Sequence, residues 1–154
     1  ILETPKCIEA NGATEEVAEF VSRNLNIPLA GEDKVRNPGR RRDRFSFDQH
    51  LFDAVSPTQT YGHSVFEQVY RQDDAGRYWI RKLAPRPQWT IQKFNVALDG
   101  GLESITQMPP ASNGNVVYGL APVDISVNRL VVYSRNMRPG KWVGRSILRS
   151  AYKH

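Results

Sequence analysis

The chain has 154 residues, of which 40% are apolar and 10% aromatic, enough to bury the core of one domain. Its formal charge is +5, with 21 Lys and Arg against 16 Asp and Glu, which favours polyanionic or acidic partners. Its lone Cys7 rules out an internal disulfide, three scattered His argue against a structural zinc site, and no apolar run approaches the roughly 20 residues that cross a bilayer. The expectation is an intracellular chain that uses no metal or cofactor and does not enter a membrane.

In chain order, residues 1–10 read as a first strand carrying Leu2, Cys7 and Ile8, with Pro5 tolerated at an edge or bulge and Cys7 as a small buried apolar side chain. Asn11-Gly12 turns the chain. Thr14 is a good N-cap, Glu15 and Glu16 suit the positive end of a helix dipole, and Val17, Phe20, Val21 and Leu25 share one face. These predict an amphipathic helix that ends before Pro28. Lys34, Arg36, Arg40, Arg41, Arg42 and Arg44 then crowd into one segment broken by Asn37-Pro38-Gly39, an exposed basic loop that could contact phosphate or a protein partner. No aromatic residue is interleaved to stack on bases, so a solvated loop is the simpler reading. A second amphipathic helix is predicted from Ser46, with Phe47, Leu51, Ala54 and Val55 on one side and Pro57 just past its end.

From Tyr61 the periodicity shifts towards two. Strands at 65–70 and 78–83 flank Asp73-Asp74-Ala75-Gly76 as a hairpin, and strands at 89–98 and 102–107 flank Asp99-Gly100-Gly101 as another. Short apolar runs at 116–120 and 130–134 extend the sheet. Pro139-Gly140 and Gly144 punctuate the tail, Ser146 can cap, and Ile147, Leu148 and Ala151 open an apolar stripe with no stop signal, as if an α-helix were cut short. The predicted class is α+β: two N-terminal amphipathic helices, then a mostly antiparallel sheet of hairpins, ending in the start of a truncated helix, all in one domain over 1–154. Flanking sequence is expected on both sides.

Chemistry is hard to find in this pattern. Ser64 or Cys7 with His50 or His63 lacks the spacing of a nucleophile and base, and His63 in its Tyr-Gly-His-Ser turn reads as a satisfied or solvated imidazole. No phosphate-cradling glycine loop is present. Glu67 is the one carboxylate inside a predicted strand; it could act as a ligand or base, but a cross-strand pair with Arg81 or Lys82 is the simpler account. Trp79, Trp89 and Trp142 read as core or interface packing rather than a stacking platform. No catalytic, cofactor-binding or metal-binding residue is assigned.

The run Leu51-Phe-Asp-Ala-Val-Ser-Pro-Thr-Gln-Thr-Tyr-Gly-His-Ser-Val-Phe-Glu-Gln-Val-Tyr70 resembles the segment of tailed-bacteriophage portal proteins in which a helix meets a Tyr-Gly turn and an acidic strand. Arg77 to Pro87 resembles the next strand with its Leu-x-x-Arg-Pro ending, Asp99-Gly100-Gly101-Leu102 the hairpin after it, and Arg129-Leu-Val-Val-Tyr133 the strand before the long helix. Gly144-Arg-Ser-Ile-Leu-Arg-Ser-Ala-Tyr152 is similar to the Gly-Arg-Ser-Leu-Leu-Arg-x-Ala-Tyr signature of portals of Mu-like and actinobacterial phages, so the likeness covers about residues 46–154. The basic loop has no counterpart in that pattern.

The resemblance implies a structural, non-enzymatic subunit of a ring at the capsid vertex, present in the virion and, during assembly, in the bacterial cytoplasm. Such a ring would pass double-stranded DNA non-specifically and dock terminase, connector proteins and capsid or scaffold proteins. This chain would be the outer, wing-like body that precedes the stem. Lost ring partners should leave exposed patches, with Phe45, Phe47, Trp142, Arg145 and Arg149 as candidate interface residues. The alternative is a free-standing basic nucleic-acid-binding domain that grips phosphates with the 34–44 loop and the basic tail.

Overall fold

The computed structural model describes residues 4–32, 45–109 and 120–153. The basic loop and most of the predicted strand at 116–120 lie outside the described residues. The helices are α1 (Glu15–Leu25) and α2 (Phe47–Tyr61). The strands are β1 (His63–Gln72), β2 (Tyr78–Arg86), β3 (Ile91–Val96), β4 (Leu102–Gln107), β5 (Val123–Ser126) and β6 (Leu130–Ser134). The chain divides into two compact units, one of residues 1–52 and 69–83, the other of residues 53–68 and 84–154. No described helix is long and apolar enough to cross a membrane.

In the first unit α1 forms where its caps dictate. Thr14 is extended and its hydroxyl accepts from the Val17 N–H, while Asn26 takes the left-handed conformation that ends the helix. The buried Ser22 completes that end: its carbonyl accepts from Ile27 and its hydroxyl donates to the Ile27 carbonyl at 2.7 Å. The buried face is Ala18 and Ser22, whereas Val17 of the predicted stripe is half exposed. Asn24 accepts from the Ile80 N–H of β2 at 2.8 Å, and Phe20 packs on Trp79 with ring centroids 4.8 Å apart. The predicted first strand reduces to a parallel bridge between Ile8 and Leu29, and Cys7 is exposed rather than buried. A single bridge gives its side chain no second layer to pack against.

The β1–β2 turn is built on Asp73. Its carboxylate accepts from the Ala75 and Arg77 N–H groups, from Arg77 Nε and from Trp79 Nε1 at 2.8–3.0 Å, and Gly76 supplies the positive φ that closes the turn.

The second unit holds the hydrophobic core. Val65 of β1 and Leu130 of β6 meet Ile105 of β4 and Ile125 of β5, with Ile91, Phe94 and Val132 packed around them. Ile105 is fully buried and Val65 is 1% exposed. Both sheets thus contribute to one apolar layer, and β1 is buried over five consecutive residues from His63 to Glu67.

The predicted fold class needs correction on two counts. The described residues form not one sheet of successive hairpins but two three-stranded antiparallel sheets, of order β2-β1-β6 and β3-β4-β5. β6 returns to pair with β1, His63 opposite Ser134 and Glu67 opposite Leu130, and β5, which carries too few apolar residues to stand out in sequence, takes the place beside β4. The tail is not the start of an α-helix. Residues Ile147–Lys153 form a 3-10 helix, with Arg149 N–H bonded to the Ser146 carbonyl and Ser146 Oγ capping Leu148. Ile147 and Leu148 stay 43% and 46% exposed, so no packed face pays for the wider α-helical turn. Pro57 also lies inside α2 rather than past its end. The Ala54 carbonyl in the same stretch accepts from the Ser64 hydroxyl, which is bonded in turn to Thr58.

The Trp79 indole first, then the Arg77 N–H and the Arg77 guanidinium, hold the Asp73 carboxyl well below its ordinary value, at about 2. A depressed carboxyl stabilises the fold above its unfolded value near 3.8 and loses that contribution as pH falls through 2. In Asp73→Asn, acid unfolding followed by tryptophan fluorescence should lose the component between pH 4 and 2, and the variant should melt at a lower temperature at pH 7.

Candidate functional site

The tail of the second unit, residues 136–153, is a strap fixed to the sheet ends by its backbone. Gly62, at the end of α2, accepts from the Arg135 N–H, and the Arg135 carbonyl accepts from the Arg145 N–H, each at 2.8 Å. Gly62 and Gly144 meet backbone to backbone. A methyl group on either would overlap the other's carbonyl, and one on Gly144 would also sit 2.5 Å from the Arg135 oxygen. Gly62 has in addition a φ of +87°, so glycine serves both conformation and approach there. A turn over Pro139-Gly140, closed by Lys141 N–H to the Arg138 carbonyl, brings Trp142 back over the unit. Its carbonyl accepts from the Ser134 hydroxyl and its indole donates to the Gly100 carbonyl of the β3–β4 turn at 3.1 Å.

Trp142, Arg145 and Arg149 are thus brought onto one segment, in different roles. Trp142 is half-buried and anchors the strap, whereas the Arg145 and Arg149 side chains are exposed. Around them Met137, Val143, Ile147, Leu148 and Tyr152 are 43–88% exposed. The strap sequence contains five cationic residues, Arg138, Lys141, Arg145, Arg149 and Lys153, and no Asp or Glu. Phe45 and Phe47 are half-buried rather than open, and Phe45 packs on His50. Lys34, Arg36, Arg40, Arg41, Arg42 and Arg44 lie outside the described residues.

Glu67 does not pair with Arg81 or Lys82, both of which are exposed. It is 7% exposed and bonds both Arg86 of β2 and Arg129, the residue before β6. The guanidinium forks of Arg86 and Arg129 reach the buried carboxylate, whereas Arg81 and Lys82 stay at the surface. Burial, with Arg129 adding to it, pushes the Arg86 guanidinium below its ordinary value, yet arginine keeps its charge throughout the working pH range. With each of its oxygens held by a guanidinium group, Glu67 is an ion-pair anchor between strands.

His63 departs from its expected environment. It is 7% exposed, stands edge-on to Phe94 at 5.3 Å, and neither ring nitrogen has a hydrogen-bond partner among the described residues. Burial lowers its pKa from the ordinary 6.5, while the nearby Tyr61 backbone favours the protonated ring without completing a bond. No motif in the sequence marks this. The only available sign was that His63 directly follows a glycine at a helix-to-strand junction.

A concavity of about 590 Å³, in the first unit, is lined by Val17, Phe20, Tyr78 and Trp79, with Arg77 5.8 Å from the Trp79 ring centre. Its rim charges are largely internal pairs, Glu19 with Arg23 and Arg77 with Asp73.

Replacing Glu67 by Gln leaves Arg86 buried without its counter-charge, at a cost of about 3 kcal/mol in urea unfolding. Adding Arg86→Met should recover a large part of it, since an apolar pair avoids burying either charge.

No curated protein matches the chain. The family described as the portal protein of Mu bacteriophage matches it over residues 2–154. The strap with its Gly-Arg-Ser tail, the Glu67 strand and the two hairpins all fall within that match, and the chain belongs to the Mu bacteriophage portal protein family.

Proposed function

We propose that this chain is the outer, wing-like body of a longer portal subunit, one of a ring at the capsid vertex of a tailed phage. Its role is structural rather than enzymatic. The ring serves as the conduit for double-stranded DNA during packaging and ejection, and as the docking platform for terminase, connector and capsid or scaffold proteins. Assembly takes place in the bacterial cytoplasm and the product resides in the virion.

The observation that carries this reading is the strap. It combines a backbone hydrogen-bonded to the end of β6 with exposed apolar and cationic side chains and no acidic residue. A monomer that had no use for such a segment would gain by folding or neutralising it, whereas a subunit interface uses apolar anchors inside a charged rim. A repeated head-to-tail contact closes into a ring when its rotation allows. Passing DNA must slide, so its contacts are long-range and unspecific, which the net positive charge permits.

The test is light scattering and negative-stain imaging of this chain beside the subunit extended past residue 154. Rings from the extended subunit, lost in the double variant Arg145→Glu/Arg149→Glu, are the expected result. Because both side chains are exposed, the reversal should change the melting free energy of the chain by no more than about 0.5 kcal/mol. Monomers of both forms, with DNA affinity falling steeply with salt, would contradict the reading and favour a basic nucleic-acid-binding domain.

A further inference from the structure

The strap cannot serve as its own partner. Its charged residues are all cationic, so two copies meeting through it would set Arg145 and Arg149 against their own counterparts, and like charges facing each other oppose association. A surface of this kind needs a different surface on the copy it meets.

The first unit carries one. The concavity of about 590 Å³ where α1 meets the start of β2 has apolar walls from Val17, Phe20, Tyr78 and Trp79, and Val17 and Tyr78 are 52% and 63% exposed. Its charged lining groups are Glu16, Glu19, Arg23 and Arg77. Arg23 is bonded to Glu19 at 3.2 Å and Arg77 to Asp73 at 3.0 Å, which leaves Glu16 as the lining charge without an ion pair among the described residues. Glu15, next to it in the first turn of α1, is likewise exposed and outside those ion pairs. The concavity is apolar within and acidic at one edge, the complement of a strap that is apolar and cationic.

We infer that this concavity receives the strap of a second copy of the chain, with Ile147, Leu148 and Tyr152 against its apolar walls and Arg145 and Arg149 beside Glu15 and Glu16. All five strap side chains are exposed, and their segment is tied to the end of β6 through the Arg145 N–H, so it meets a partner already ordered. The two surfaces are unlike. The contact is therefore head-to-tail, the geometry that closes into a ring or runs on as a filament. The basic stretch 34–44 has the charge to meet Glu15 and Glu16 but offers only Val35 and Pro38 as apolar residues, too few for four apolar walls. Nucleic acid suits the concavity less, because its phosphates would meet unpaired carboxylates. The inference rests on the ring reading and supplies that ring with its two faces.

The test uses the subunit extended past residue 154, with Cys7→Ser as background. Val17→Cys in one copy and Leu148→Cys in another, mixed under mild oxidation, should give the mixed disulfide dimer several-fold over either same-variant dimer. Glu15→Lys/Glu16→Lys should raise the concentration needed for assembly at least about tenfold in light scattering, as should Arg145→Glu/Arg149→Glu, and all four substitutions together should restore assembly. Should the altered helix fail to fold by circular dichroism, the disulfide yields decide. Assembly indifferent to the Glu15 and Glu16 reversal, or folded fourfold variants that stay monomeric, would overturn the inference. So would rings whose mixed dimer is no more abundant than the same-variant ones. A dominant mixed dimer from a subunit that forms no ring would support the docking and count against the ring reading instead.

Discussion

The second unit depends on one backbone contact: the junction of Gly62, Arg135 and Gly144. Three stretches far apart in sequence meet there, the end of α2, the end of β6 and the strap, and two hydrogen bonds of 2.8 Å run through them in series. Only glycine permits the approach at 62 and 144. Because Gly62 immediately precedes β1 and Arg135 immediately follows β6, the junction continues the β1–β6 pairing past its last register pair, His63 with Ser134. The strap is thereby joined to the sheet ladder instead of resting on it, and Trp142 is delivered to the Gly100 carbonyl.

This arrangement explains how so apolar a segment can remain ordered while exposed. Its order comes from main-chain bonds and the Trp142 anchor, which leaves Val143, Ile147, Leu148 and Tyr152 free of structural duty. Exposed apolar side chains on a fixed backbone lose little entropy when a partner covers them, which is what a repeated assembly contact requires. The polar anchors in the body are of a different kind. Glu67 between Arg86 and Arg129, and Thr90 between Gln107 and the Pro87 carbonyl, are satisfied groups that fix strand ends. Both ring nitrogens of His63, and Arg86 Nε, are buried without a hydrogen-bond partner among the described residues.

What the sequence made legible was local. Thr14, Asp73 and the Asp99-Gly100-Gly101 turn act within six residues of themselves, so α1 and both hairpin turns can be read directly, and β4 lies at 102–107 as expected. The tail motif was legible as a family likeness. The rest was decided at long range. Nothing in 130–134 says that it will pair with β1 rather than extend the second hairpin, because an apolar five-residue run fits either neighbour. Gly144 looked like turn punctuation, and only its partner at 62 gives it another meaning. The spacing of Ile147, Leu148 and Ala151 suits an α-helix, yet no surface is there to receive that face, and tighter bonding prevails.

The junction is tested most directly by amide hydrogen exchange at Arg135 and Arg145. If the strap continues the ladder, both amides exchange as slowly as those of the β1–β6 pair, and they open together in one cooperative event. Exchange of Arg145 at the rate of an exposed loop while Arg135 stays protected would show the strap detached in solution, and the account of a pre-ordered interface would fail.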